Sequence, residues 1–114
     1  MPTRLCTEAE LEAAFAAERY LLFKHSPTCP ISAAAMREYE AFARTHPELP
    51  TGWIEVVQER PLARAVAERT GLRHESPQAI LLVAGAPRWN AAHSAITSAS
   101  LGAALASMRD GQGR

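Results

Sequence analysis

Tyr20-Leu-Leu-Phe23 is a compact apolar and aromatic run closed by Ser26-Pro27, and a different pattern opens directly after it at Pro30. From there Ile31, Ala35, Tyr39 and Phe42 recur at spacings of three and four, with Arg37, Glu38 and Glu40 on the other side. The first run reads as a buried strand. The second reads as an amphipathic helix that ends near Thr45-His46-Pro47, where proline stops it. A strand that feeds a helix through a tight loop commits the chain to layers of sheet and helix. Cys29 stands at the last position of that loop.

The remaining elements follow from similar signals. Thr7-Glu8-Ala9-Glu10 is a capping-box pattern, and Leu11, Ala14 and Phe15 share one face, which predicts a helix from about Glu8 to Ala17. After a loop over Pro47 to Gly52, Trp53-Ile-Glu-Val-Val57 alternates as a second strand. Pro61 suits the first position of a third helix, with Leu62, Ala65 and Val66 inward and Gly71 as its stop. Ser76-Pro77 introduces Ala79-Ile-Leu-Leu-Val83, the most apolar strand candidate. Gly85-Ala86 turns it into Arg88-Trp89-Asn90, a short strand whose neighbour Pro87 suits a sheet edge. A last helix is expected near Thr97, with Leu101, Ala104, Leu105 and Met108 inward, and a frayed tail over about 109–114.

Strand, helix and strand, then a hairpin and a closing helix, make a small mixed sheet with helices on both faces. That is the α/β outline of a thioredoxin-like fold, an outline several other α/β arrangements share. The 114 residues suffice for a single domain spanning 1–114.

Twelve basic residues balance twelve acidic ones, so no overall field draws a polyphosphate or an anionic membrane surface. Neither nucleic acid nor membrane is expected as a partner. The Met-Pro-Thr-Arg start carries no apolar signal core, and no segment approaches the roughly 20 apolar residues of a membrane span. With only Cys6 and Cys29, the chain has no disulfide framework, and a cytoplasmic location is the expectation.

With Pro30 as the first helical residue, Cys29 occupies the N-cap, facing the free amides of Ile31 and Ser32 at the positive end of the helix dipole. A thiolate is favoured there, and thiols at such helix starts are often reactive. Lys24, His25 and Thr28 lie close in sequence, and the Ser32 hydroxyl is a further donor. Ser32 also decides the mechanism. A second thiol at that position would resolve a mixed disulfide internally, and a serine cannot. The competing reading is a small buried residue at a helix start. Cys6 has no helix-start geometry and reads as structural unless the fold brings it within disulfide reach. No spacing among Cys6, Cys29, His25, His74 and His93 supports a tetrahedral metal site, so no metal is expected.

Three blocks carry a resemblance: His25-Ser-Pro-Thr-Cys-Pro-Ile-Ser32, His74-Glu-Ser-Pro-Gln78, and Trp89-Asn-Ala-Ala-His93 followed by Ile96-Thr97. Together, in this order, they resemble the monothiol bacilliredoxins, the YtxJ-like branch of the thioredoxin superfamily. The resemblance implies a thiol–disulfide oxidoreductase acting in redox homeostasis and stress response. It would remove bacillithiol, or a similar low-molecular-weight thiol, from S-thiolated client proteins. Cys29 matches the nucleophile and Ser32 the family's usual serine. Ser76-Pro77 matches a cis-proline loop opposite the cysteine, where Ser76 would offer backbone bonds to an extended substrate. Thr28 and Pro30 flank the substrate's path, and Pro27 stands where a polar residue is common. On this reading no cofactor is bound and bacillithiol is a co-substrate. Two alternatives stay open: a non-catalytic thioredoxin-like adaptor, and a carrier of an iron–sulfur cluster like the monothiol glutaredoxins, which also use C-x-x-S.

Overall fold

The computed structural model describes residues 2–112. Its elements, in chain order, are β1 (Thr3–Arg4), α1 (Glu8–Ala16), β2 (Arg19–His25), α2 (Pro30–Thr45), β3 (Thr51–Glu55) and α3 (Arg60–Thr70), followed by β4 (Gln78–Val83), β5 (Ala86–Ala92), a 3-10 turn (His93–Ala95) and α4 (Ser98–Gln112). The five strands form one sheet in the order β1-β3-β2-β4-β5. β1, β3 and β2 run parallel, and β4 and β5 run antiparallel to their neighbours. The sheet is therefore mixed, with a parallel half built by the crossover helix α2 and an antiparallel hairpin closing the other half. Among the described residues no helix is long and apolar enough to cross a membrane.

Alternation along β2 distributes the core. Leu22 joins Leu11, Phe15, Ile54, Val66 and Ile80 on one face, under α1 and α3. Leu21 and Phe23 join Ala35, Tyr39, Phe42, Leu81 and Leu101 on the other, under α2 and α4. Tyr39 ties the second layer to the sheet: it is fully buried, stacks on Phe23 at 4.8 Å, and its hydroxyl lies 2.9 Å from the Leu21 carbonyl oxygen and 2.7 Å from that of Gly52.

The Thr7 capping box forms as expected. The Thr7 hydroxyl accepts the Glu10 N–H, and the Glu10 carboxylate accepts the N–H groups of Thr7 and Cys6. These bonds, that from Cys6 first, hold the Glu10 carboxyl below its ordinary value. β5 is an edge strand, which accommodates Pro87.

Several boundaries differ from the sequence expectation, among them that of β2, which covers Arg19–His25 rather than Tyr20–Phe23. β1 has no counterpart there; its two residues pair with Gly52 and Trp53 while their side chains stay exposed. β3 covers Thr51–Glu55 rather than Trp53–Val57. It ends there because the Glu55 carboxylate turns back to accept the N–H groups of Val57 (2.8 Å) and Gln58 (3.3 Å), which converts the next residues into a turn. β5 extends over seven residues, well beyond Arg88–Asn90. α4 continues through Gln112, past the point where the sequence predicts fraying, and residues 113–114 lie outside the described residues.

The β4–β5 turn holds Ala84 at φ 51° and Gly85 at φ 80°. Both central residues are left-handed, as a hairpin turn of this twist requires, and only Gly85 adopts that conformation without cost. Ala84→Asn is expected to raise stability by about 0.5–1 kcal/mol, because asparagine tolerates this region and alanine does not. Urea unfolding of the two proteins measures the difference, and an unchanged or lower midpoint with an unchanged slope would contradict it.

Candidate functional site

The C-terminal ends of β2 and β3 and the N-terminus of α2 meet at one edge of the sheet. His25 is the last residue of β2, and its carbonyl accepts the Val56 N–H at 3.0 Å. The chain then turns tightly: the Cys29 N–H donates to the Ser26 carbonyl at 3.3 Å. Pro30 opens α2, so Cys29 is its N-cap, with extended backbone angles (φ −104°, ψ 119°) and a carbonyl that accepts the Ala33 N–H at 3.0 Å. Its side chain makes no capping hydrogen bond, and the thiol is free and partly exposed. The sulfur therefore sits at the end of a 16-residue helix where unpaired amides and the aligned peptide dipoles favour negative charge.

Ser32 is fully buried beneath this loop. Its hydroxyl accepts the Ser26 N–H at 2.9 Å and lies 2.8 Å from His25 Nδ1. Burial lowers the affinity of His25 for a proton, against the opposing pull of Glu55 and Glu40, so the ring is neutral at pH 7. A neutral ring with its proton on Nε2 accepts the Ser32 O–H at Nδ1, and the chain Ser26 N–H, Ser32 O–H, His25 closes without a frustrated group. What Ser32 does in this structure is fix the path of residues 25–29, and so the position of Cys29. No signal in the sequence pairs His25 with Ser32 across the loop. Seven residues separate the two, and only the turn at Ser26–Cys29 brings them together.

The other residues considered at the sequence level separate into two groups. Thr28, Pro30 and Ile31 are at the surface beside Cys29, with Ile31 half exposed. Just before β4, whose first residue Gln78 pairs with Lys24 near the end of β2, the Ser76–Pro77 peptide bond is cis, as the resemblance implies, with Pro77 buried and the Pro77 carbonyl accepting the His93 N–H at 3.1 Å. Lys24 falls outside the site: it is fully buried in register with Ile54 and Gln78, on the sheet face of Leu22 rather than the α2 face that carries His25. Burial lowers its pKa to about 8, against the opposing charge of Glu75. Cys6 is exposed two residues beyond β1, the outermost strand.

Ile31 and Val57 are the exposed large hydrophobic residues among those described, at 50% and 54%, and both border this edge of the sheet. A partly exposed thiol at a helix start, an apolar rim and a cis-proline segment at the adjoining end of β4 suit attack on a disulfide carried by another molecule. Among the described residues, no three His, Cys, Asp or Glu side chains gather as a metal site requires.

Comparison with known proteins agrees with this geometry. A solved structure described as an oxidoreductase with a thioredoxin fold is 33% identical, covers 91% of this chain and 93% of its own, and superposes with a TM-score of 0.85. The thioredoxin of Trypanosoma brucei brucei superposes at 0.79 with 10% identity, covering 96% of this chain and 92% of its own. That of Fasciola hepatica superposes at 0.73 with 16% identity, covering 92% and 97%. The last two share the fold alone, which is a thioredoxin fold. The family model "Monothiol bacilliredoxin BrxC" matches residues 3–101. A match of that extent, over the loop, the cis-proline segment and the strand that follows it, establishes a thiol redox role and shows that the chain belongs to the monothiol bacilliredoxin family.

Proposed function

We propose that the protein removes a low-molecular-weight thiol, bacillithiol or one of similar size, from mixed disulfides on client proteins. The Cys29 thiolate attacks the small-thiol sulfur of the client disulfide. A new disulfide forms between Cys29 and the small thiol, the client sulfur leaves as a thiolate, and water supplies its proton. A second low-molecular-weight thiol, deprotonated, then attacks the small-thiol sulfur held on Cys29. The two small thiols depart joined as a disulfide, and Cys29 returns as a thiolate. No net oxidant is needed, because the second small thiol supplies the reducing electrons.

The observation that carries this reading is the pairing of a free Cys29 at the start of α2 with a serine, fully buried and hydrogen-bonded, three residues on. The start of α2 presents the Cys29 sulfur at the surface, within reach of a disulfide on another molecule. Ser32 and His25 hold the loop that presents it, Thr28 and Pro30 border the approach, and the Ser76-Pro77 segment offers backbone to an extended client. A cytoplasmic setting, where thiols stay reduced, fits this chemistry.

The test is mass spectrometry after mixing the protein with a bacillithiolated client. Wild type is expected to gain an adduct of bacillithiol mass on Cys29 while the client loses it. Cys29→Ala is expected to release none above the uncatalysed background. If the alanine variant frees the client as fast as wild type does, Cys29 is not the nucleophile. Anaerobic purification adds a second check: a coloured protein with cluster absorption would favour the cluster-carrier alternative instead.

A further inference from the structure

A groove of about 380 Å³ runs beside the site between α2 and the segment that follows β5, lined by Ile31, Ala34, Arg37, His93, Ile96 and Thr97. Its volume is that of a small-molecule site. It begins at Ile31, two residues from Cys29. It also touches the proline loop, because the His93 N–H is bonded to the Pro77 carbonyl and His93 Nε2 lies 3.7 Å from the Glu75 carboxylate.

Two features of the lining go beyond packing. His93 holds φ at +58°, in the left-handed region that histidine enters more readily than most residues other than glycine, and this turns the chain at the groove's wall. The bond to Pro77 and the bond from the Ile96 N–H to the His93 carbonyl hold that turn. Arg37 is exposed, and its guanidinium has no ion-pair partner among the described residues. The acid next to it, Glu38, is already committed: its carboxylate accepts the Ser98 N–H at 2.7 Å and caps α4. The groove thus has an apolar floor and a planar cation without an ion-pair partner, and the Glu38 carboxylate, also part of the lining, is bonded to the start of α4.

We propose that this groove binds the carboxylate-bearing part of the low-molecular-weight thiol whose sulfur is joined to Cys29, with Arg37 as its bidentate partner. The inference rests on the exchange reading and adds the residue and the groove that would recognise the thiol's carboxylate. Arg37 lies two turns from Cys29, about 12 Å along the helix axis. A thiol that reaches Arg37 must therefore extend well beyond its sulfur, unlike a minimal thiol such as mercaptoethanol. Ile31, Ala34 and Ile96 cover its stem, and His93 fixes the wall that joins the groove to the proline loop.

The test uses the Cys29→Ser protein, which cannot exchange, so it decides the groove whatever the client assay returns. Titration with S-methylglutathione, a non-reactive thioether carrying two carboxylates, is followed by amide shifts. Saturable shifts at Ile31, Ala34, His93 and Thr97 are expected. Affinity is expected to fall at least fivefold with Arg37→Gln, and similarly when the diethyl ester replaces the diacid. Arg37 is exposed, so the substitution leaves the fold intact. Absence of saturable shifts in the groove, or equal affinities for the diacid and the ester, or for Arg37 and its replacement, would overturn the proposal.

Discussion

Ser32→Cys is expected to shorten the life of the mixed disulfide on Cys29 by at least about 100-fold, because the new thiol attacks from within the same helical turn. Cys29 and position 32 are three residues apart at the start of α2, a spacing that places both side chains on one face. An intermolecular second step becomes an intramolecular one: the new thiolate attacks Cys29, the small thiol leaves, and an internal disulfide between Cys29 and the introduced thiol remains. Mass spectrometry after a single exposure to the thiolated client reads the outcome. Wild type accumulates the adduct, whereas the variant accumulates a form lighter than the reduced protein by about two hydrogens. The variant then stalls until a reductant opens its disulfide. An adduct on the variant that persists as long as on wild type would show that position 32 does not face the sulfur. A cost accompanies the change. The thiol is a poorer acceptor for the Ser26 N–H and a poorer donor to His25, so a modest loss of stability, about 1 kcal/mol, is expected from the loosened loop.

The second large effect concerns Lys24. Its ammonium is fully buried without a hydrogen-bond partner among the described residues, as are two other side-chain atoms, Ser76 Oγ and Gln78 Oε1. Burial lowers its pKa from 10.5 to about 8, and the opposing attraction of Glu75 only partly offsets this. The gap corresponds to about 3 kcal/mol of penalty on the folded state when the amine is charged in both states. The sign follows from proton counting. Between about pH 8 and 10.5 the unfolded chain holds the proton and the folded chain has released it, so stability rises with pH across that window. Below pH 8 both states are protonated and the full penalty applies. Lys24→Met keeps the volume of the stem and removes the charge, so it is expected to stabilise the protein by about 2–3 kcal/mol at pH 7. It should also abolish the rise above pH 8. Denaturant unfolding at about pH 7, 8, 9 and 10 separates the outcomes. Stabilities of wild type and variant that run parallel across this range would mean the amine finds compensation in the fold.

The same residue marks where sequence reasoning stops short. The layered order of elements, the capping box at Thr7, the edge position of Pro87 and the cysteine at the head of α2 are all legible, because each depends on neighbours within a few residues. Lys24, in sequence, is only a charged group near a cysteine. Which face it occupies depends on the pairing of β2 with β3 and β4, a long-range property that local pattern does not carry. β1 escapes for a related reason. Two exposed residues have no periodicity, and they become a strand only because β3 offers an unpaired edge. At the site, the N-cap position of Cys29 is legible in the local pattern and the cis bond before Pro77 in the resemblance. The contacts of the Ser32 hydroxyl are not, since they require the loop to be folded first.

The bond from the His93 N–H to the Pro77 carbonyl has a kinetic consequence. It occupies the Pro77 carbonyl on the β5 side, so under the proposed exchange an extended client would find fewer free backbone groups along this segment. Few backbone bonds are then available to hold a client in place, and an encounter of that size dissociates quickly. In the proposed exchange the client is never joined to Cys29, so it would depart as soon as its sulfur is released. Under that proposal the protein would sample many surfaces briefly and react only where a disulfide is found, so that the modification itself, more than the surrounding sequence, would select the client.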